Sequence, residues 1–339
     1  MCCRYHERIV CVTLFVLGLL TALVRVVNAE RLPIKTYTTA DGLPHSSIHR
    51  IVRDSRGFLW FCTGEGLSRF DGYSFVNYGA TEGLPHPTVN DLLQTRSGDY
   101  WIATNGGLCR FNPKGTPTSR PVYAVDSPPD ALNQEMFTTY TPSDNDQLTK
   151  AINTVIETRD GGIWFGTRQG LFYVDRGGGR VELRVVDIGA YNSRGHEYIS
   201  SILEDRYGTI WIGTPTGLYR RWPDGSVARY GKENRMPNEN IYALLEDRRG
   251  SLWVGTRDKG LFRLAISPGH EAPIVASVYN KRRAWKDWVF DIYESSDGAL
   301  LAGTNTEFIE SNDGSRYLCI LDRQHKKPVP RCRILLELA

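Results

Sequence analysis

One frame recurs six times along this chain, and no other feature restricts its fold so tightly. In its plainest copy, within Ile241–Phe262, an apolar residue (Ile241) leads to Gly250, then Trp253, then Thr256. The same frame reads Ile48, Gly57, Trp60, Thr63, and again Val89, Gly98, Trp101, Thr104. It returns as Ile152, Gly161, Trp164, Thr167 and as Ile199, Gly208, Trp211, Thr214. A sixth copy, Val289, Gly298, Leu301, Thr304, keeps the spacing without the Trp.

Each copy divides into short extended runs. The first carries apolar residues three apart, such as Ile199 and Ile202. A turn with Asp and Gly follows, where glycine reaches backbone angles other residues resist. The Trp lies on the second run, and the third opens on Gly-Leu, as at Gly170-Leu171 and Gly217-Leu218. A weaker aromatic run closes the unit. Four antiparallel strands repeated at this interval make a propeller blade. The expected fold is therefore an all-β propeller of four-stranded blades, six of them readable. Tyr37–Pro44, Tyr78–Pro85 and Tyr230–Pro237 share one spacing, so Ile34–Thr38 is expected to complete the blade that contains Val289–Thr304. Residues 112–150, rich in Pro, Thr, Ser and Asp, read as an insertion in the outer part of blade two or in its link to blade three. A degenerate blade is the alternative.

The run Gly-Leu-Pro-x-x-x-Ile/Val, then Asp-x-x-Gly-x-Leu-Trp-x-Gly-Thr, then Gly-Leu-x-Arg-Phe-Asp resembles the two-component regulator propeller repeat. Gly42–Asp71 is close to a full copy and Ile241–Leu264 is another. The resemblance spans roughly residues 34–310. It implies the extracytoplasmic sensor part of a bacterial hybrid two-component protein, whose members continue into more blades, an Ig-like sandwich, a membrane span and a kinase or cyclase output. None of those further segments is read in this sequence.

Arg4 and Arg8 precede an apolar run from Ile9 to Val24, and Val27-Asn28-Ala29 suits a signal peptidase, so residues 1–29 read as a signal peptide. An uncleaved anchor is the alternative, and the only route to a membrane. Either way the body, 30–310, is expected to be periplasmic or secreted, with an irregular tail at 311–339. The formal charge of the whole chain is only +3, which gives nucleic-acid phosphates no basic face. Three of the seven cysteines fall within residues 1–29. Cys62 and Cys109 occupy repeat positions held elsewhere by small or strand residues, and Cys319 and Cys332 lie in the tail. Without a CxxC or a Cys/His cluster, no metal site and no cofactor are expected.

A Trp in one slot of five of the six copies is expected to pack neighbouring sheets, and the Gly-Thr pairs to be structural too. Function is sought where the copies differ. Alternating strand direction puts the turn before the first strand and the turn between the second and third on one face. That face collects His45, His86 and Asn240 from one turn type and Glu65, Asn105, Arg168, Arg257, Asp258 and Asn305 from the other. Loops on a rigid frame are where binding resides, and Arg168 and Arg257 suit a carboxylate or sulfate. No catalytic set is legible. The expectation is a non-catalytic ligand-sensing propeller for a glycan fragment or small organic anion, working with a partner sensor protein. The alternatives are a propeller lyase or hydrolase, or a protein-interaction module.

Overall fold

The computed structural model describes residues 35, 37–124, 134–142, 146–175, 181–189, 197–236, 240–277, 288–295, 298 and 300–304. Blade one is β1 (Ile48–Arg53), β2 (Leu59–Thr63), β3 (Gly66–Phe70) and β4 (Phe75–Tyr78). Blade two is β5 (Val89–Gln94), β6 (Tyr100–Thr104), β7 (Gly107–Phe111), β8 (Val122–Tyr123) and β9 (Phe137–Tyr140). Blade three is β10 (Ile152–Glu157), β11 (Ile163–Thr167), β12 (Gly170–Asp175) and β13 (Glu182–Val186). Blade four is β14 (Ser201–Glu204), β15 (Ile210–Thr214), β16 (Gly217–Arg221) and β17 (Val227–Tyr230). Blade five is β18 (Ile241–Glu246), β19 (Ser251–Thr256), β20 (Leu261–Ala265) and β21 (Ile274–Ser277), and blade six shows β22 (Val289–Glu294) and β23 (Leu300–Thr304).

Blades one, three, four and five pair in simple sequence order, each strand antiparallel to the last. Blade two is the exception. Its outer strand is β9, and β8 adds to β9 in parallel as a fifth strand. Residues 112–136 separate β7 from this outer strand, and after it a single helical turn, Gln147–Lys150, leads into blade three. The completion of blade six by residues 34–38 is not among the described pairings. Ile34 and Thr36 lie outside the described residues, and Lys35, Tyr37 and Thr38 form no strand. The expected signal segment, the tail and its two cysteines also lie outside them. Cys62 and Cys109 are buried free thiols, and burial pushes the Cys109 thiol up to about 12.

The repeated Trp acts between blades, as its periodicity suggests. Trp60 sits 5.5 Å from Tyr100 and 5.7 Å from Phe111, both in blade two. Trp101 is buried with Ile152 and Phe165 of blade three, Trp211 with Ile241 and Val254 of blade five, and Trp253 with Val289 and Ile292 of blade six. Aromatic burial of this kind dominates sheet-to-sheet packing.

The acidic turn does more than reverse the chain. Asp54 accepts the Arg56 and Phe58 amides at 2.9 Å on one oxygen, and the Trp60 indole N–H (3.0 Å) and Tyr100 hydroxyl (2.8 Å) on the other. Asp205 and Asp247 bind the indoles of Trp211 and Trp253, each at 2.8 Å. Burial pushes the Asp54 carboxyl up, but these donors outweigh it and hold the group below its ordinary value. The folded state therefore binds its proton less readily than the unfolded chain. The stabilisation is complete above the ordinary Asp value of about 4 and is lost as pH falls below it through the group's lowered folded value. Urea unfolding between pH 7 and 3 should show Asp54→Asn less stable than the parent at neutral pH but with a shallower acid decline.

On the face that carries these turns, each blade clasps the next. The Ser55 amide donates to Gln94 (2.7 Å), Arg96 to Glu157 (2.8 Å), Arg159 to Glu204 (2.7 Å), Arg206 to Glu246 (2.8 Å) and Arg248 to Glu294 (2.9 Å). Each acceptor is the last residue of an inner strand. The guanidinium of Arg159 also caps the carbonyls of Asp205 and Arg206 in the next turn.

Candidate functional site

On the opposite face, the two turns of blades one, two, three and five are tied together. The amide of Gly64 donates to the Ser47 carbonyl, Asn105 to Thr88, Arg168 to Ala151 and Arg257 to Asn240, at 2.9 to 3.3 Å. The two turn types therefore share one face, as alternating strand direction requires. The repeated Thr is a staple within this turn: the Thr63, Thr104, Thr167, Thr214 and Thr256 hydroxyls donate to the carbonyls of Gly66, Gly107, Gly170, Gly217 and Gly260. His45 and His86 also shape their turns, each accepting on Nδ1 the amide two residues on, Ser47 and Thr88, at 3.0 Å.

The inner strands begin with a bulge. A register shift displaces His49, Asn90, Asn153, Tyr242 and Phe290 from their strands, and Ser200 holds the corresponding place before β14. Bulges re-aim side chains in this way. His49 Nδ1 donates to the Val89 carbonyl (2.7 Å), Asn90 to Ile152 (2.6 Å) and Asn153 to Ile199 (2.8 Å), and Ser200 bonds the Ile241 carbonyl. Blades one to four are thereby latched at this face by small polar groups.

Blades four to six present aromatic rings there instead. Tyr242 stacks on Trp288 at 6.2 Å, and both pack on Phe290, at 5.7 and 5.5 Å. Tyr198, Ser200, Pro215, Asn240 and Tyr242 line a cavity of about 310 Å³. The Arg257 guanidinium lies 4.4 Å over the Trp288 ring and 3.9 Å from Asp258. Arg168 acts on two neighbours at once. Burial lowers the His86 pKa and Arg168 adds to that, while burial raises the Tyr198 hydroxyl and Arg168 offsets it. His86 is therefore held towards its neutral form.

Of the residues expected from sequence, Asn240, Arg257 and Asp258 belong to this aromatic sector, and Arg168 links it to His86. Asn105 is spent on Asn90, 2.9 Å away. His45 and Glu65 stay on their own blade, with no hydrogen bond, ion pair or ring contact joining them to the sector among the described residues. Asn305 lies outside those residues. Sequence reasoning missed Tyr198, Tyr242, Trp288 and Phe290, which flank or occupy the bulge. The available signal was that they replace Ser47, Thr88, His49 and Asn90 at equivalent repeat positions. Among the described residues, no group of three or more His, Cys, Asp or Glu side chains is placed to hold a metal.

No curated protein matches the chain in sequence. Its fold is similar to that of virginiamycin B lyase from Staphylococcus aureus (14% identity, 78% of this chain, 84% of the lyase, TM-score 0.56). It is also similar to PorZ, a surface component of the type-IX secretion system of Porphyromonas gingivalis (14% identity, 80% and 41% covered, TM-score 0.56). The extracellular domain of the hybrid two component system BT3049 from B. thetaiotaomicron aligns at 18% identity and a TM-score of 0.48, covering 80% of this chain. The chain spans 40% of that domain's length. The family model described as two component regulator propeller matches residues 42–65, 83–106, 193–216 and 235–258. Among the described residues, each match includes the start or whole of an inner strand and the Trp strand that follows it. Four of the six repeats in this chain are thus two-component regulator propeller repeats.

Proposed function

We propose that this propeller is the non-catalytic, extracytoplasmic recognition module of a two-component signalling system, and that it binds a glycan fragment or small organic anion. The observation that carries this reading is the uneven face. Tyr242, Trp288 and Phe290 form an apolar platform beside a cavity of about 310 Å³, with Arg257 against it and Arg168 nearby. Aromatic planes stack on the apolar faces of sugar rings or planar acids. Arginine forks onto carboxylate or sulfate with a geometry that lysine lacks. A polar ligand with one flat face and one anionic group uses both.

Titration calorimetry of the purified chain against acidic and neutral oligosaccharides and organic acids tests this. An acidic member is expected to bind, and Arg257→Ala or Trp288→Ala to weaken it by about tenfold or more, the order of one desolvated cation–π or charged contact. Arg257→Lys is expected to recover only part of the loss. Binding of no compound, with recovery of a protein partner over this face, would favour an interaction module. Conversion of a bound compound to product would favour an enzyme.

A further inference from the structure

In blades one, two, four and five an arginine on the third strand pairs with the repeated Trp: Arg69, Arg110, Arg220 and Arg263. In three of these blades the arginine rests on an uncharged residue two places before that Trp. Arg69 lies 4.6 Å over the Phe58 ring, Arg220 Nε donates to the Thr209 hydroxyl (3.1 Å) and Arg263 Nε to the Ser251 hydroxyl (2.9 Å). Blade two has a carboxylate at that place, Asp99, 3.1 Å from Arg110. The cover over the arginine differs as well. In blade four the Trp222 ring lies 4.8 Å from Arg220, and the carbonyls of Ser267 and Gly269 accept from it, so that none of its side chain is exposed. Blade two has Asn112 in the place of Trp222, and the Arg110 side chain is 41% exposed.

Beside Arg110 lies a cavity of about 310 Å³. Asp99, Arg110, Asn112 and Glu135 supply its polar lining, and Tyr100 and Phe111 its aromatic lining. The stretch between β7 and β9 holds Glu135 in place by its backbone. The Asn112 amide donates to the Met136 carbonyl (2.8 Å), the Met136 amide to Thr116 (2.9 Å) and the Thr116 amide to Gln134 (2.7 Å). Gly115 packs so closely that a Cβ there would stand 2.5 Å from the carbonyl carbon and oxygen of Glu135. The Glu135 carboxylate is not matched in this way. Its Oε2 is shut off from solvent and accepts no hydrogen bond among the described residues, a state that is unfavourable for a charged oxygen. Asp99 and Arg110 neutralise each other, so the cavity carries one uncompensated negative charge.

We propose that this cavity is a second ligand site, on the acidic-turn face opposite the aromatic platform, and that it takes a small organic cation bearing a primary ammonium or guanidinium group. A cation beside Glu135 supplies the compensation that the chain itself does not, and in a partly dry cavity that attraction exceeds its value in water. The rings of Tyr100 and Phe111 also attract cations. An anion is disfavoured, because Arg110 is already engaged with Asp99 and Glu135 repels it. The volume lies at the small end of ligand pockets, about 300–1,000 Å³, which restricts the ligand to a compact amine or guanidine. The residues that open the site, Asp99, Asn112 and Glu135, are those in which blade two departs from the other copies.

Titration calorimetry of the full chain with agmatine and putrescine tests this, with butane-1,4-diol as the uncharged control. Both amines are expected to bind saturably and the diol not to bind. Glu135→Gln keeps the shape and removes the charge, and should weaken agmatine binding by about tenfold or more, the order of one hydrogen bond to a charged group. Asn112→Trp, which places a ring over Arg110 as Trp222 does over Arg220, should abolish binding although Glu135 remains. Agmatine should raise the thermal midpoint of the parent and not that of Glu135→Gln. Without agmatine, Glu135→Gln should unfold no more easily than the parent, since it gives up an unmatched charge. A lower midpoint would show that the free protein already satisfies Glu135, and would overturn the proposal. So would the absence of saturable amine binding, equal binding of the diol, or undiminished binding by Glu135→Gln. Trp288→Ala should leave agmatine binding unchanged. Its loss in that variant would place the amine on the aromatic platform, and would also overturn the proposal.

Discussion

Asp205→Ala is expected to destabilise the propeller by about 3–5 kcal/mol, the range for removing one partner of a buried charge pair. Neither Asp205 nor Arg220 exposes any of its side chain, and they lie 3.6 Å apart. Asp205 also accepts the Tyr207 and Thr209 amides, the Thr209 hydroxyl and the Trp211 indole N–H. Alanine leaves those donors without an acceptor and leaves a guanidinium in a dry core. Arg220 in turn donates to the carbonyls of Ser267 and Gly269 beyond β20, and lies 4.8 Å from both the Trp211 and Trp222 rings. It therefore ties blade four to blade five. Urea unfolding of Asp205→Ala, Arg220→Met and the double variant measures the coupling. The double variant should be more stable than the sum of the singles predicts, because it leaves no unpaired buried charge. Additive losses would show that the pair does not act as a unit.

Gly166→Val should cost about 3 kcal/mol or more, at or beyond the upper end of ordinary overpacking. A Cβ at Gly166 would stand 2.5 Å from Cγ2 and 2.7 Å from Cβ of Ile199, the buried residue beside the first turn of blade four. The whole inner edge of the next blade must retreat to admit it. At the same repeat position, blade one carries Cys62 and blade two Ala103, both fully buried. The slot thus accepts a small side chain where its neighbour is set back, and nothing at all between blades three and four. Thermal unfolding of Gly166→Ala and Gly166→Val should give losses that grow with side-chain size. Equal midpoints for the parent and both variants would show that the blades can separate without loss.

The one face carrying both turn types could be read from strand alternation, and with it Asn240, Arg168, Arg257 and Asp258. His45 and Glu65 were drawn in by the same logic although each stays on its own blade. Tyr198, Tyr242, Trp288 and Phe290 could not be recognised, because in the text of the repeat they look like strand residues that pack a core. Only the bulge at the head of each inner strand turns two of them, Tyr242 and Phe290, outward, and a bulge leaves no signature beyond one extra residue.

The sequence by itself determined the blade: its strands, its acidic turn, its Trp and its Gly-Thr hairpin. Each copy repeats the same local surroundings, so period and spacing suffice to identify them. Tertiary structure alone decided how the blades meet. That Asp54 also holds Tyr100 of the next blade and that Arg50 spans from Asp91 to Asp291 depend on residues 41 to 241 positions apart. Such contacts follow from how the sheets are arranged about the axis, and that arrangement is not encoded in any single repeat.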